Sequence, residues 1–259
     1  ATEKVNETFA SDTDKYGYWS MKGWPTPAKL GNKYVDALEY YIEQGVFTPE
    51  AKTVAIYGED TDWGRSFGAG AIELFEAAGW EVVSEEYFPL EQTEFYPFLN
   101  KLKDLNPAVI AGTSTAPPSI TALIKQADEV GLESLIIADG LGWVDFCSLT
   151  GDSATNVIDQ IAGWSSDAGF AFAEEFESRY DLAPSTSSAG LAHDGTKMFM
   201  EIAQAVYDEH GELSSELIQQ FVEEKVWTGE WSMTDGLVMV EYKYTPETTP
   251  DPVVGPGFY

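Results

Sequence analysis

A single cysteine among 259 residues, Cys147, leaves no partner for an internal disulfide and no thiolate set for a metal. With Phe146 and Leu149 beside it, it reads as a buried small hydrophobe, not a nucleophile. Positive charge is scarce too: 14 Lys and Arg stand against 44 Asp and Glu, a formal net charge of −30. Such a surface repels phosphate backbones and anionic headgroups, which argues against nucleic acid and acidic lipid as partners. Most of these carboxylates are read as a solvated surface. No apolar run approaches the roughly 18 residues of a membrane span, and no basic-then-apolar leader opens the chain. A trimmed polypeptide would look the same, so neither absence places the chain in the cytoplasm.

Phosphate-binding loops are missing as well. Gly64, Gly68 and Gly70 do not form G-x-G-x-x-G, and the later pair falls inside a helical pattern, a turn too late to cradle a pyrophosphate. No P-loop lysine is present. Glu59, Asp60 and Asp62 would repel phosphate, and they lack the D-x-[DN]-x-[DN]-G order of a calcium loop. They are read as solvated rim acids, with Asp62 capping the helix that follows. Gly68 and Gly70 are read as sites of close helix–sheet packing. Neither a cofactor nor a metal is expected.

The chain does contain an alternation of elements. TVAIYG (53–58), WEVVSEEYF (80–88), AVIAGT (108–113), SLIIADG (134–140) and NVIDQIAGW (156–164) have strand composition. Between them lie helical patterns at 66–79, 94–106 and 117–131, the last opened by proline and closed by glycine. Near-continuous apolar strands separated by helices predict an α/β fold, with a parallel sheet covered on both faces. A long helix is predicted within 23–45. Further helices are predicted at 166–181, 191–211 and 214–226, with a Pro/Ser/Thr linker at 183–190. Residues 237–245 read as a strand and 246–257 as a proline-rich tail.

In such sheets ligands sit at the carboxyl ends of the strands. Three of those ends carry ligand-like residues: Asp62-Trp63, Thr113-Ser114-Thr115, and Asp139-Gly140 with Trp143 beyond. They offer aromatic faces, hydroxyl donors and one carboxylate, which suits a small ligand with an apolar body and a cationic amine. Asp139 would pair with the amine, and Trp63 and Trp143 would cover the body. A rival reading takes GTSTA (112–116) as a relaxed nucleophile elbow. Ser114, Asp139 and His193 then stand in the chain order of an esterase-like α/β-hydrolase. Against it, Pro117 and Pro118 interrupt the turn into the helix.

The segment 53–95, with 99–112, 122–140 and 191–206, resembles the type I periplasmic binding proteins, in particular the branched-chain amino-acid receptors of ABC transporters. The resemblance implies two α/β lobes joined by crossovers and closing on a small molecule, an amino acid or a small carboxylate. It implies a non-enzymatic receptor, periplasmic or extracellular and anchored to the cell surface in full form. Its partner would be a membrane permease, with no insertion of this chain into the membrane. By position, the family's aromatic ligand contact falls on Trp63, the next ligand loop on Thr113, Ser114 and Thr115, and the amine-binding acid on Asp139 beside Gly140. Thr2 resembles the threonine that meets the ligand carboxylate. The early part of the first lobe is read as lacking. Residues 1–24 are then a remnant of lobe one with the first crossover, 25–184 lobe two, 185–235 further lobe-one elements, and 236–259 the last crossover and tail. Trp at 63 and Asp at 139 replace the family's usual Tyr and Glu, and the loop at 113–118 has no aromatic residue.

Overall fold

The computed structural model describes residues 2–16, 22–141, 145–159, 163–164 and 166–253. Two short helices, α1 (Glu3–Ser11) and α2 (Thr13–Tyr16), precede the longer α3 (Pro27–Glu43). There follow β1 (Thr53–Glu59), α4 (Asp62–Ala77), β2 (Glu81–Phe88), α5 (Tyr96–Leu105), β3 (Val109–Thr113), α6 (Pro117–Glu129) and β4 (Leu135–Ala138). The short helix α7 (Phe146–Thr150) then leads to β5 (Val157–Asp159). The remaining elements are α8 (Asp167–Tyr180), α9 (Leu191–His210), α10 (Ser215–Phe221) and the two-residue strands β6 (Met233–Thr234) and β7 (Glu241–Tyr242). The chain divides into two compact units, one of Pro27–Ile161 and one of Glu3–Thr26 with Ala162–Tyr259.

The first unit is an α/β sandwich around a parallel sheet in the order β2-β1-β3-β4-β5. β1 and β3 are apolar on both faces because both faces are covered. On one side Tyr34 and Leu38 of α3 meet Phe67 and Ala71 of α4. The rings of Tyr34 and Phe67 lie 5.1 Å apart, and Tyr34 Oη–H donates to the Gly112 carbonyl at 3.1 Å. On the other side Phe98, Leu99 and Leu102 of α5 and Ile120, Leu123 and Ile124 of α6 pack on Ala55, Tyr57, Ile110 and Ile136. β2, at the edge, carries Glu81, Glu85 and Glu86, whose charges discourage a further strand from pairing there.

The two helix glycines separate in role. A Cβ on Gly68 would come within 2.1 Å of Tyr87 Oη on β2, so this position allows the predicted helix–sheet packing. At Gly70 the obstacle would be Ala28 Cα of α3 at 2.5 Å, so that glycine serves helix–helix packing instead.

The second unit is built from helices with one small antiparallel sheet of β6 and β7. α8, which the sequence placed inside a 25–184 segment, packs here: the Phe172 ring lies 5.5 Å from Trp164 and 5.3 Å from His193. The predicted linker at 183–190 is partly a π-helical turn, Thr186–Gly190, running straight into α9. The predicted strand at 237–245 contributes only Glu241–Tyr242 to a ladder. Leu237, Val238 and Met239 are buried because the Leu237 and Val238 amides bond the fully buried carboxylate of Asp194 instead of a neighbouring strand. Tyr242 Oη–H donates to the same carboxylate at 2.8 Å. Part of the predicted tail is held inside: Asp251 is fully buried and paired with the Lys22 ammonium. Cys147 corrects another expectation. It is exposed, because Phe146 takes the inward position on α7 and the next residue turns out.

Candidate ligand site at the strand ends

The order β2-β1-β3-β4-β5 reverses direction between β1 and β3, and the loops leaving these strands diverge to opposite faces. A crevice at such a reversal is where open α/β sheets hold ligands. The β1 loop reaches α4 within three residues, so Trp63 sits in the first helical turn directly above the sheet. Its indole Nε1–H donates to Thr113 Oγ1 at 3.1 Å, and Thr113 Oγ1–H donates to Asp139 Oδ2 at 3.4 Å. One chain of hydrogen bonds thus joins the ends of β1, β3 and β4. Three residues picked from the sequence meet there, with successive members 50 and 26 positions apart.

Asp139 keeps part of its surface exposed, yet its carboxyl is hemmed in by protein. Burial, and after it the charges of Asp159 and Glu59, outweigh the Thr113 hydrogen bond and push it up to about 7. Among the described residues no cation pairs with it, and Thr113 supplies its one hydrogen bond. Asp159, on the adjacent strand, is also raised by burial, against the lowering effect of the Leu141 and Gly140 amides. Those amides donate to it at 3.1 and 3.0 Å and fix the turn after β4. Gly140, at a φ of 79°, supplies the left-handed bend.

The other predicted residues are placed differently. Ser114 Oγ is buried without a hydrogen-bond partner and lines a small cavity of about 10 Å3 with Tyr57, Phe95 and Ile120. Thr115 is exposed but tied by both its amide and its hydroxyl to Glu59 Oε2, at 2.8 and 2.7 Å. Thr2 stands before α1, in no hydrogen bond with Trp63, Thr113 or Asp139 among the described residues. Trp143 lies outside the described residues. Of the residues of the hydrolase reading, Asp139 is bonded to Thr113 within its unit, and in the other unit His193 Nδ1 lies 3.1 Å from Asp194 Oδ1. No group of His, Cys, Asp and Glu among the described residues is arranged to hold a metal ion.

Two expectations about the β1 loop are corrected. Glu59 is not a rim acid; it is 5% exposed, with its oxygens taken up by Thr61 and Thr115. Thr61, not Asp62, caps α4, accepting from the Gly64 amide at 3.1 Å. A hydroxyl cap can accept from the helix and donate onward, which a carboxylate cannot. The sequence carried one signal for this: Glu59 continues the alternation of Ala55 and Tyr57, and so faces the core.

No helix among the described residues is long and apolar enough to cross a membrane. A search of curated proteins finds no match. Solved structures of the same fold are numerous. A Silicibacter pomeroyi protein, described as a branched-chain amino acid ABC transporter, superposes with a TM-score of 0.79 at 19% identity, covering 97% of this chain and 65% of its own. A leucine binding protein from Thermotoga maritima gives 0.63 at 17% identity, covering 84% and 61%. A leucine-, isoleucine-, valine-, threonine- and alanine-binding protein from Brucella ovis, in a closed conformation, gives 0.67 at 16%, covering 87% and 55%. The chain thus spans less than two thirds of each of these structures. A periplasmic binding protein family model matches residues 12–225, which with the shared α/β fold makes this chain a member of the periplasmic binding protein family.

Proposed function

We propose that this chain is the ligand-holding part of a periplasmic or extracellular receptor. It takes an amine-bearing small molecule, most simply an amino acid, and serves an ABC-transporter permease. The observation that carries this reading is the relay Trp63–Thr113–Asp139, which ends on a carboxylate with no cationic partner among the described residues. An ammonium group supplies that partner, and a charge-assisted hydrogen bond in a partly dry site is worth about 1.5–3 kcal/mol. Trp63, half-buried with its N–H committed to Thr113, presents a ring face to the apolar body of the ligand. Non-enzymatic binding accords with a Ser114 hydroxyl that is buried and hydrogen-bonded to no base.

A thermal-shift screen of amino acids, simple amines and carboxylic acids tests this. A ligand at 100 times its Kd adds about 2.7 kcal/mol. Amino acids and isopentylamine (leucine without its carboxylate) are expected to stabilise the native chain, and Asp139→Asn is expected to abolish the effect. Stabilisation by carboxylic acids alone, or an unchanged response in Asp139→Asn, would remove Asp139 from this role.

A further inference from the structure

Glu59 was absent from the predicted site and touches no proposed ligand. Its place in the hydrogen-bond network is nevertheless unusual. One oxygen accepts from Thr61 Oγ1–H at 2.8 Å, and Thr61 in turn accepts from the Gly64 amide in the turn that carries Trp63. The other oxygen accepts both the amide and the hydroxyl of Thr115, in the loop that follows Thr113. The two oxygens thus accept three hydrogen bonds in a buried setting, and neither is left without a donor. Close packing enforces it: a Cβ on Gly64 would meet the Glu59 carbonyl at 2.1 Å and Glu59 Cγ at 2.8 Å.

We propose that Glu59 is a positioning residue, whose buried carboxylate ties the α4 turn bearing Trp63 to the loop following Thr113 and so sets the spacing of the ligand site. The Trp63–Thr113 bond is then the second of two ties between the same loops, on the opposite face of the strand ends. With both ties in place, the indole and the hydroxyl are ordered before the ligand arrives, which lowers the entropic cost of binding. This rests on the receptor reading above. Charge links Glu59 to Asp139 as well, alongside the other groups facing that carboxyl: Asp159 from β5, Thr113 from β3, and Tyr57 from β1, whose own hydroxyl is raised by burial and by Asp139.

The test uses the full chain, Glu59→Gln, and L-leucine titrated calorimetrically between pH 5.5 and 8.5. Amide hydrogen exchange at Thr115 is followed without ligand. Glu59→Gln is expected to raise Thr115 exchange about ten- to hundredfold, the loss of a bond to a charged acceptor. It is also expected to weaken L-leucine about tenfold at pH 8. The pH midpoint of binding should move down, because one charge opposing Asp139 ionisation has gone. That shift follows from the lost charge in either case, so affinity decides: a role in stability alone would lower the melting temperature and leave L-leucine affinity at pH 8 native. If Glu59→Gln does not fold, Thr115→Val removes one donor and is expected to weaken L-leucine about threefold. Native Thr115 exchange in Glu59→Gln, or native affinity in a folded variant, overturns the positioning role. If the native chain binds neither L-leucine nor isopentylamine, the receptor reading has failed instead, and Thr115 exchange still reports whether Glu59 ties the loops.

Discussion

The two units solve the problem of a buried centre in opposite ways. In the sheet unit the centre is hydrocarbon: Leu99, Leu102, Ile110 and Ile124 are fully buried among one another. In the helical unit two carboxylates lie at the centre. Asp194 takes two backbone amides and a tyrosine hydroxyl, and Asp251 pairs with Lys22, a residue 229 positions away. A sheet satisfies its own backbone, so apolar side chains suffice to fill it. The segment at 237–239 has no ladder partner, and its amides must be satisfied by a buried acid. Tertiary context thus decides whether a buried charge weakens a fold or completes it.

The largest expected effect is in the helical unit. Asp194→Ala strands three buried donors and should cost about 3–5 kcal/mol, read by denaturant unfolding and by exchange of the 237–242 amides. A loss below about 1 kcal/mol would mean that this unit does not depend on its acid, and the contrast would collapse. In the sheet unit the matching experiment is Leu99→Ala, with an expected loss of about 2–5 kcal/mol through the cavity it leaves.

Asp139 sharpens the comparison, because its charge sits between the two regimes. Its carboxyl is raised in the fold to about 7 from an ordinary 3.8. The folded state therefore holds the proton more tightly than the unfolded chain. Stability of the ligand-free protein falls as pH rises from about 4 to about 7, then levels off. Asp139→Asn should remove that slope and stabilise the protein at pH 8 by at most about 4 kcal/mol. A steeper slope in the variant would place the titration on another group. Smallest is Thr61→Ala, at about 1 kcal/mol for the lost α4 cap. Its added interest is that Thr115 exchange should rise with it, since both residues share Glu59.

The sheet unit was largely legible in the sequence, because strands covered on both faces leave unbroken apolar runs and helices between them leave a 3.6-residue period. Trp63, Thr113 and Asp139 were legible for a topological reason: each lies at the carboxyl end of a strand or within four residues of it. Glu59 was less so: its place in the Ala55–Tyr57 alternation points inward, but in a chain with 44 acids one more carboxylate at a turn reads as solvated, and its partner Thr115 lies 56 residues on. The 237–245 segment misled for the converse reason. Its alternation matches a strand, but nothing local reveals that its amides are met by Asp194.

The Trp63 indole has already given its only donor to Thr113. Whatever rests against it meets a surface that can recognise shape but cannot grip an oxygen. An apolar contact of that kind separates two solutes differing by one methylene by about 10- to 200-fold, and a bare surface penalises an added hydroxyl by only about a hundredfold. Under the proposed reading, this side of the site therefore rejects neither an extra methylene nor an extra hydroxyl by more than about a few hundredfold, and sharper selection falls to the polar groups at Asp139.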